Sequence, residues 1–113
     1  MRLKSGIWVA AYLRRCQVEG LVAVLRRRGS EEAGAIFIKV SRLDGSADLY
    51  GPAPQSAFDE ARSGERMFNV ALAEKPEPDI EAYLARQIRY DPDLWIVEVE
   101  DRVGRSFLDH IVR

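Results

Sequence analysis

The sequence predicts an α+β fold, an antiparallel or mixed sheet of about five strands with two helices on one face. Three observations predict it. "AIFIKVSRL" (35–43) and "LWIVEVE" (94–100) are rich in β-branched and aromatic residues, Asp44-Gly45 supplies turn residues between two strand-like segments, and Ile80, Tyr83, Leu84 and Ile88 form one helical stripe.

From the N-terminus, "IWVAAYLRRC" (7–16) reads either as a strand, with Trp8, Ala10 and Tyr12 on one face, or as a helix capped by Ser5. Periodicity does not separate the two. In residues 17–28, Val18, Leu21, Val22 and Leu25 fall at i, i+3, i+4 and i+7, and Gly29 follows where helices often end, so this segment is expected to be helix. That tips the preceding run toward strand, because one continuous helix would carry Gly20 in its interior at about 1 kcal/mol.

Residues 35–43 alternate Ile36, Ile38 and Val40 against Phe37, Lys39 and Ser41, and "SADLYG" (46–51) returns as the second arm of a hairpin. Pro52 and Pro54 then break the chain, since neither donates to a ladder. "SAFDEAR" (56–62) is read as a turn or two of helix, and "RMFNVALA" (66–73) as a strand with Phe68, Val70 and Leu72 inward. A helix from about Asp79 to Tyr90 and a strand over 94–100, with Trp95, Val97 and Val99 set against Leu94, Ile96, Glu98 and Glu100, complete the order. Strand, helix, hairpin, strand, helix, strand is a β-α-β-β-α-β arrangement with one additional strand, a ferredoxin-like variant.

One globular domain over 1–113 is expected, because this length sits inside the usual single-domain range. The longest apolar run, Gly6 to Leu13, falls well short of the roughly 20 residues a bilayer requires, and Met1-Arg2-Leu3 is too short for the start of a secretory leader. A cytoplasmic setting without membrane contact is expected. A lone cysteine, Cys16, makes no internal disulfide and no Cys-rich zinc site, and core filling suits it better than nucleophilic chemistry.

The net charge of -1 hides a division. Residues 1–43 hold nine Lys/Arg against three acids, and residues 44–113 hold eight against fifteen. Packing of one half on the other, within a molecule or across a dimer, neutralises such a split most simply.

"LVAVLRRRGSEEAG" (21–34) is the most conspicuous stretch. Gly29 and Gly34 have phosphate-loop spacing, but Ala35-Ile36 stand where Lys-Ser/Thr belong, so that reading fails. Arg26, Arg27 and Arg28 at about 100° intervals would fan around a helix end rather than grip one ligand. A subset, Arg26 and Arg28 with Arg14 and Arg15, remains the candidate anion or partner surface, and Trp8 lies near it in sequence. Nucleic acid is not favoured, given a pI near 5.9 and no RNA-recognition motif.

Among the acids, Asp91, Asp93, Glu98 and Glu100 are weak metal candidates: Glu98 and Glu100 share a strand face, but the lysine of a metal-dependent nuclease motif is missing. No G-x-S-x-G elbow or G-x-G-x-x-G occurs, no catalytic residue is assigned and no cofactor is expected.

"GIWVAAYLRRCQVEG", "VLRRRGSEEAGAIFIKV", "LDGSADLYGPAPQ" and "DPDLWIVEVEDR" together resemble a domain-of-unknown-function family of short alphaproteobacterial proteins, number 1491 of that series. The resemblance covers almost the whole chain and implies one domain in a bacterial cytoplasm. It transfers no activity. It draws attention to the loop-rich "RLDGSADLYGPAP", where Asp44 and Tyr50 are surface-site candidates, although turn chemistry explains them as well. The expected function is non-catalytic protein binding or assembly, with a protein partner or a homodimer. The alternatives are an anion or RNA binder using the arginines and a metal-dependent hydrolase.

Overall fold

The computed structural model describes residues 2–54 and 65–112. The elements run α1 (Ser5–Val18), β1 (Val22–Arg27), β2 (Ile36–Ser41), β3 (Ser46–Pro52), β4 (Phe68–Pro76), α2 (Glu77–Tyr90) and β5 (Trp95–Glu100). They form an α+β fold with one five-stranded mixed sheet in the order β1-β5-β2-β3-β4. Strands β2 and β5 are parallel, and the other neighbouring pairs are antiparallel. The expected helix over 56–62 lies outside the described residues.

The first two elements exchange identities relative to the expectation. Residues 7–16 are helix and residues 22–27 are strand, and Gly20 is the pivot. It takes φ +79 immediately after α1, while Gly20 N–H donates to Gln17 O and Leu21 N–H to Cys16 O, the paired bonds that close a helix on a left-handed glycine. The helix therefore ends at this glycine, and the cost of an interior glycine never arises. The helical spacing of Val18, Leu21, Val22 and Leu25 is accidental, since it runs from the last residue of α1 across Gly20 into a strand. Val22–Arg27 pairs antiparallel with β5, and Ala23 and Leu25 alternate into the core. Arg26 to Arg28 thus sit at no helix end.

Helix α1 buries Ser5, Val9, Tyr12 and Cys16, an i, i+4, i+7, i+11 stripe. Its N-terminus has no side-chain cap: the Ser5 and Gly6 amides donate to the Glu32 and Glu31 carbonyls, and the Ser5 hydroxyl to Gly34 O at 2.6 Å. The "GSEEAG" loop is thereby a helix support. A Cβ on Gly29 or Gly34 would collide with the Asp93 carbonyl, beside which Trp95 Nε1 donates to Ser30 O at 2.8 Å.

The two helices cover opposite faces of the sheet, where one face was expected. Val9, Tyr12 and Cys16 pack with Ile36, Ile38, Val40, Trp95, Val97 and Val99. Phe37, Leu49 and Ile96 form the other layer with Ile80 and Leu84 of α2. All six residues of β2 are buried, so its apolar run reflects two covered faces rather than one. In β4, Phe68 joins the α1 layer and Leu72 the α2 layer, because the β3–β4 register shifts twice near Leu49. Val70, expected inside, is 39% exposed.

Candidate functional site

Residues 101–112 carry no long regular element, and side chains place them. Asp101, nearly buried, accepts from the Arg105 backbone N–H at 2.6 Å and from its guanidinium at 2.8 Å, which folds the chain back after β5. The segment then lies along α1. Tyr12 donates its hydroxyl to Ser106 O at 2.5 Å, Arg15 pairs with Asp109 at 2.7 Å, and Phe68 exchanges backbone bonds with His110 O and Val112 N–H. Burial raises the Tyr12 phenol well above its ordinary pKa, so it stays a donor.

Between α1 and this segment lies a groove of about 210 Å³, lined among others by Trp8, Ala11, Tyr12, Arg66, Phe107 and His110. Its wall is aromatic. The Trp8 and Tyr12 rings stack at 5.2 Å with 11° between planes, and Phe68 tilts against Trp8 at 5.2 Å. Its rim is cationic, with Arg15 and Arg66 on it and Arg2 in the adjoining cavity. Arg66 donates to Leu3 O at 2.9 Å, while its buried Nε meets no partner. Burial, and then the charge of Arg2, hold this guanidinium below the ordinary arginine pKa.

Of the residues singled out from the sequence, Trp8 alone stands in the groove wall, and Arg15 stands on its rim. The four candidate arginines are not gathered. Arg14 is exposed on α1, Arg26 forks onto Glu81 at 2.7 and 2.8 Å and reaches Glu98 at 3.0 Å, and Arg28 pairs with Glu31 while lying over the Trp95 ring. Asp44 accepts from the Ser46 amide and hydroxyl in the β2–β3 turn, and Tyr50 packs on the α1 layer. Asp91 follows α2 and accepts from the Asp93 amide at 3.0 Å; Glu98 faces Arg26 and Lys39, and Glu100 lies opposite Val22. Among the described residues, no three His, Cys, Asp or Glu side chains gather as a metal-ligand set.

Two features were not singled out beforehand. Arg66 has no sequence signal, since only the docked C-terminal segment makes a groove beside it. Lys39, with a side chain 4% exposed, reaches Glu77 and Glu81 at 2.7 Å each and Glu98 at 3.5 Å. A lysine inside the apolar run "IFIKV" was the available sign.

The family described as "Protein of unknown function (DUF1491)" matches residues 3–109. The chain belongs to this family. Similar solved structures are a crystal structure of a DUF1491 family protein from Caulobacter crescentus CB15 and an NMR structure of a DUF1491 family protein from the same organism. The first is 40% identical over 98% of both chains with a TM-score of 0.80. The second is 41% identical over 98% of this chain and 97% of that one, also with a TM-score of 0.80. The solution structure of protein Atu0922 from A. tumefaciens is 45% identical over 88% of this chain and 86% of that one, with a TM-score of 0.76. No curated protein matches the DUF1491 chain. No helix among its described residues is long and apolar enough to cross a membrane.

Proposed function

We propose that this DUF1491 chain is a non-catalytic binding module that meets a protein partner, or a second copy of itself, through the groove between α1 and residues 103–112. The observation that carries the reading is the groove itself, an open, aromatic-walled cleft with arginines on its rim. Aromatic and arginine side chains are the types that anchor protein contacts. Cys16 offers little as a nucleophile: it is fully buried, and burial pushes its thiol pKa up. The reading in which Arg14, Arg15, Arg26 and Arg28 jointly hold RNA has less support, since Arg15, Arg26 and Arg28 each face a carboxylate at 2.7 to 3.0 Å.

Ala11 is exposed and lines the groove, so Ala11→Trp plugs its mouth without touching the core. Affinity capture from nuclease-treated bacterial lysate, together with sedimentation of the pure chain, is expected to show a partner or a dimer with the wild type and its loss in this variant. Equal association by both proteins would move the contact elsewhere. A wild type that stays monomeric and captures nothing would sink the binding reading.

A further inference from the structure

Resting on that binding reading, we propose that the groove seats a carboxylate borne next to an aromatic ring, the chemistry of a chain terminus ending in an aromatic residue or of a free aryl acid. The carboxylate meets Arg66, and the ring lies against the Trp8, Tyr12 and Phe107 wall.

The charge pattern around Arg66 carries the inference. Arg15, Arg26, Arg28, Arg42 and Arg105 each hold a carboxylate at 2.7 to 3.0 Å. Arg66 is partly buried and holds none among the described residues; its one hydrogen bond there goes to the Leu3 carbonyl. Its Nε is idle, and because Arg27 shares that feature the idle atom is not the signal by itself. What distinguishes Arg66 is its position, for it lines three adjoining cavities, two of them shared with Arg2. Two like charges brought together with partial desolvation raise the free energy of the empty site, and an anion between them lowers it.

Among the described residues, the carboxylates that line the groove and the cavity it shares with Arg2 are already engaged. Asp109 is held by Arg15, and Glu65 lies 3.5 Å from His110 Nδ1. Over the groove and the cavity that adds Arg2, the described residues Arg2, Arg15 and Arg66 exceed Glu65 and Asp109 by one positive charge when His110 is neutral, while Asp91 lies in the third cavity. A planar guanidinium matches a carboxylate in a two-point fork.

The size of the groove selects the rest of the ligand. An apolar cavity of about 150 Å³ accepts benzene. At about 210 Å³ the groove takes one such ring with a short arm, and the arm ends at the cationic rim. The stacked Trp8 and Tyr12 rings extend an aromatic surface on which a further ring gains edge or offset contact.

The test titrates the 15N-labelled full chain with N-acetylphenylalanine, its neutral amide, 3-phenylpropionate and inorganic phosphate. Amide shifts and tryptophan emission are followed together. Trp95 is 1% exposed, so a change in emission reports Trp8. An aryl carboxylate is expected to bind saturably, shifting residues 8–15 and 106–110, with the amide weaker by about tenfold or more. Arg66→Gln should bring acid and amide to equal affinity, and Arg66→Lys should restore part of the difference. Tighter binding of N-acetylphenylalanine than of 3-phenylpropionate supports the seat and assigns it to a chain terminus. The reverse order supports it and assigns it to a free acid. Equal binding of acid and amide overturns the carboxylate inference while the groove reading stands. Phosphate binding as tightly as the aryl acid overturns the aromatic requirement. A silent groove in every titration, with partner capture still lost in Ala11→Trp, overturns this inference alone, and silence in both experiments removes the binding reading with it.

Discussion

The Lys39 ammonium lies 2.7 Å from a Glu81 carboxylate oxygen, joining the centre of the sheet to α2. Glu77, also on α2, lies at the same distance, and Arg26 of β1 grips Glu81 from the other side. One ion cluster thus ties α2 to β1, β2 and β5, in addition to the apolar packing of Ile80 and Leu84 on Phe37, Leu49 and Ile96.

Lys39→Met tests that tie. It removes the buried charge but leaves Arg26 to hold Glu81 and Glu98, so the expected loss is about 1–3 kcal/mol rather than the larger cost of a fully orphaned pair. A shift in the urea midpoint at unchanged slope measures it. An unchanged midpoint would show that α2 is held by its apolar face alone.

The same cluster sets a pH dependence. The Arg26 guanidinium first, and Lys39 after it, hold the Glu81 carboxyl down from 4.5 to about 2. A depressed carboxyl pKa stabilises the fold above the unfolded value, so this contribution is present above about pH 4.5 and is lost as pH falls toward about 2. Lys39 acts at the other end. Burial alone would lower its pKa, but its bonds to Glu77 and Glu81 and the charge of Glu98 raise it above 10.5, so its contribution is present below that pH and lost above it. Thermal melts of wild type and Glu81→Gln are expected to differ at pH 6 and to converge at acid pH. A constant difference across this range would contradict the assignment.

Gly20→Ala separates backbone strain from packing. No atom lies within 4 Å of the added Cβ, so the cost is that of a left-handed alanine, about 1 kcal/mol. Gly29→Ala should cost more, because its Cβ strikes the Asp93 carbonyl. Chemical denaturation of the two variants gives the order, and the reverse order would be inconsistent with the swapped helix and strand.

Tyr12→Phe removes the hydroxyl that Ser106 O accepts and leaves that buried carbonyl without its partner, at about 1–3 kcal/mol. Amide exchange should accelerate at 106–112 ahead of β2 and β5. Uniform acceleration across the sheet would mean that the C-terminal segment does not open separately.

Much of the architecture was legible. Alternating β-branched runs, the Asp44-Gly45 turn and the stripe of Ile80, Leu84 and Ile88 located β2, β3, β5 and α2, because these signals are local. Residues 5–27 misled because Ile7, Val18, Val22 and Val24 are apolar yet exposed, which blurs both periods. Gly20 held the answer, but reading it as a helix stop required knowing that the next segment pairs with β5.

The sequence by itself determined the α+β class and the hairpin, since hydrophobic period and turn chemistry act over a few residues, and its resemblance over four stretches pointed to the family; it left the sheet antiparallel or mixed, which the parallel β2–β5 pairing decided. The tertiary structure alone decided which face each helix covers, that Lys39 is neutralised by three carboxylates from two elements, and that Trp8 and Arg66 share a groove. Those relationships join residues dozens of positions apart, and no local pattern encodes them. They arise when burial and charge pairing are satisfied together in one packed arrangement.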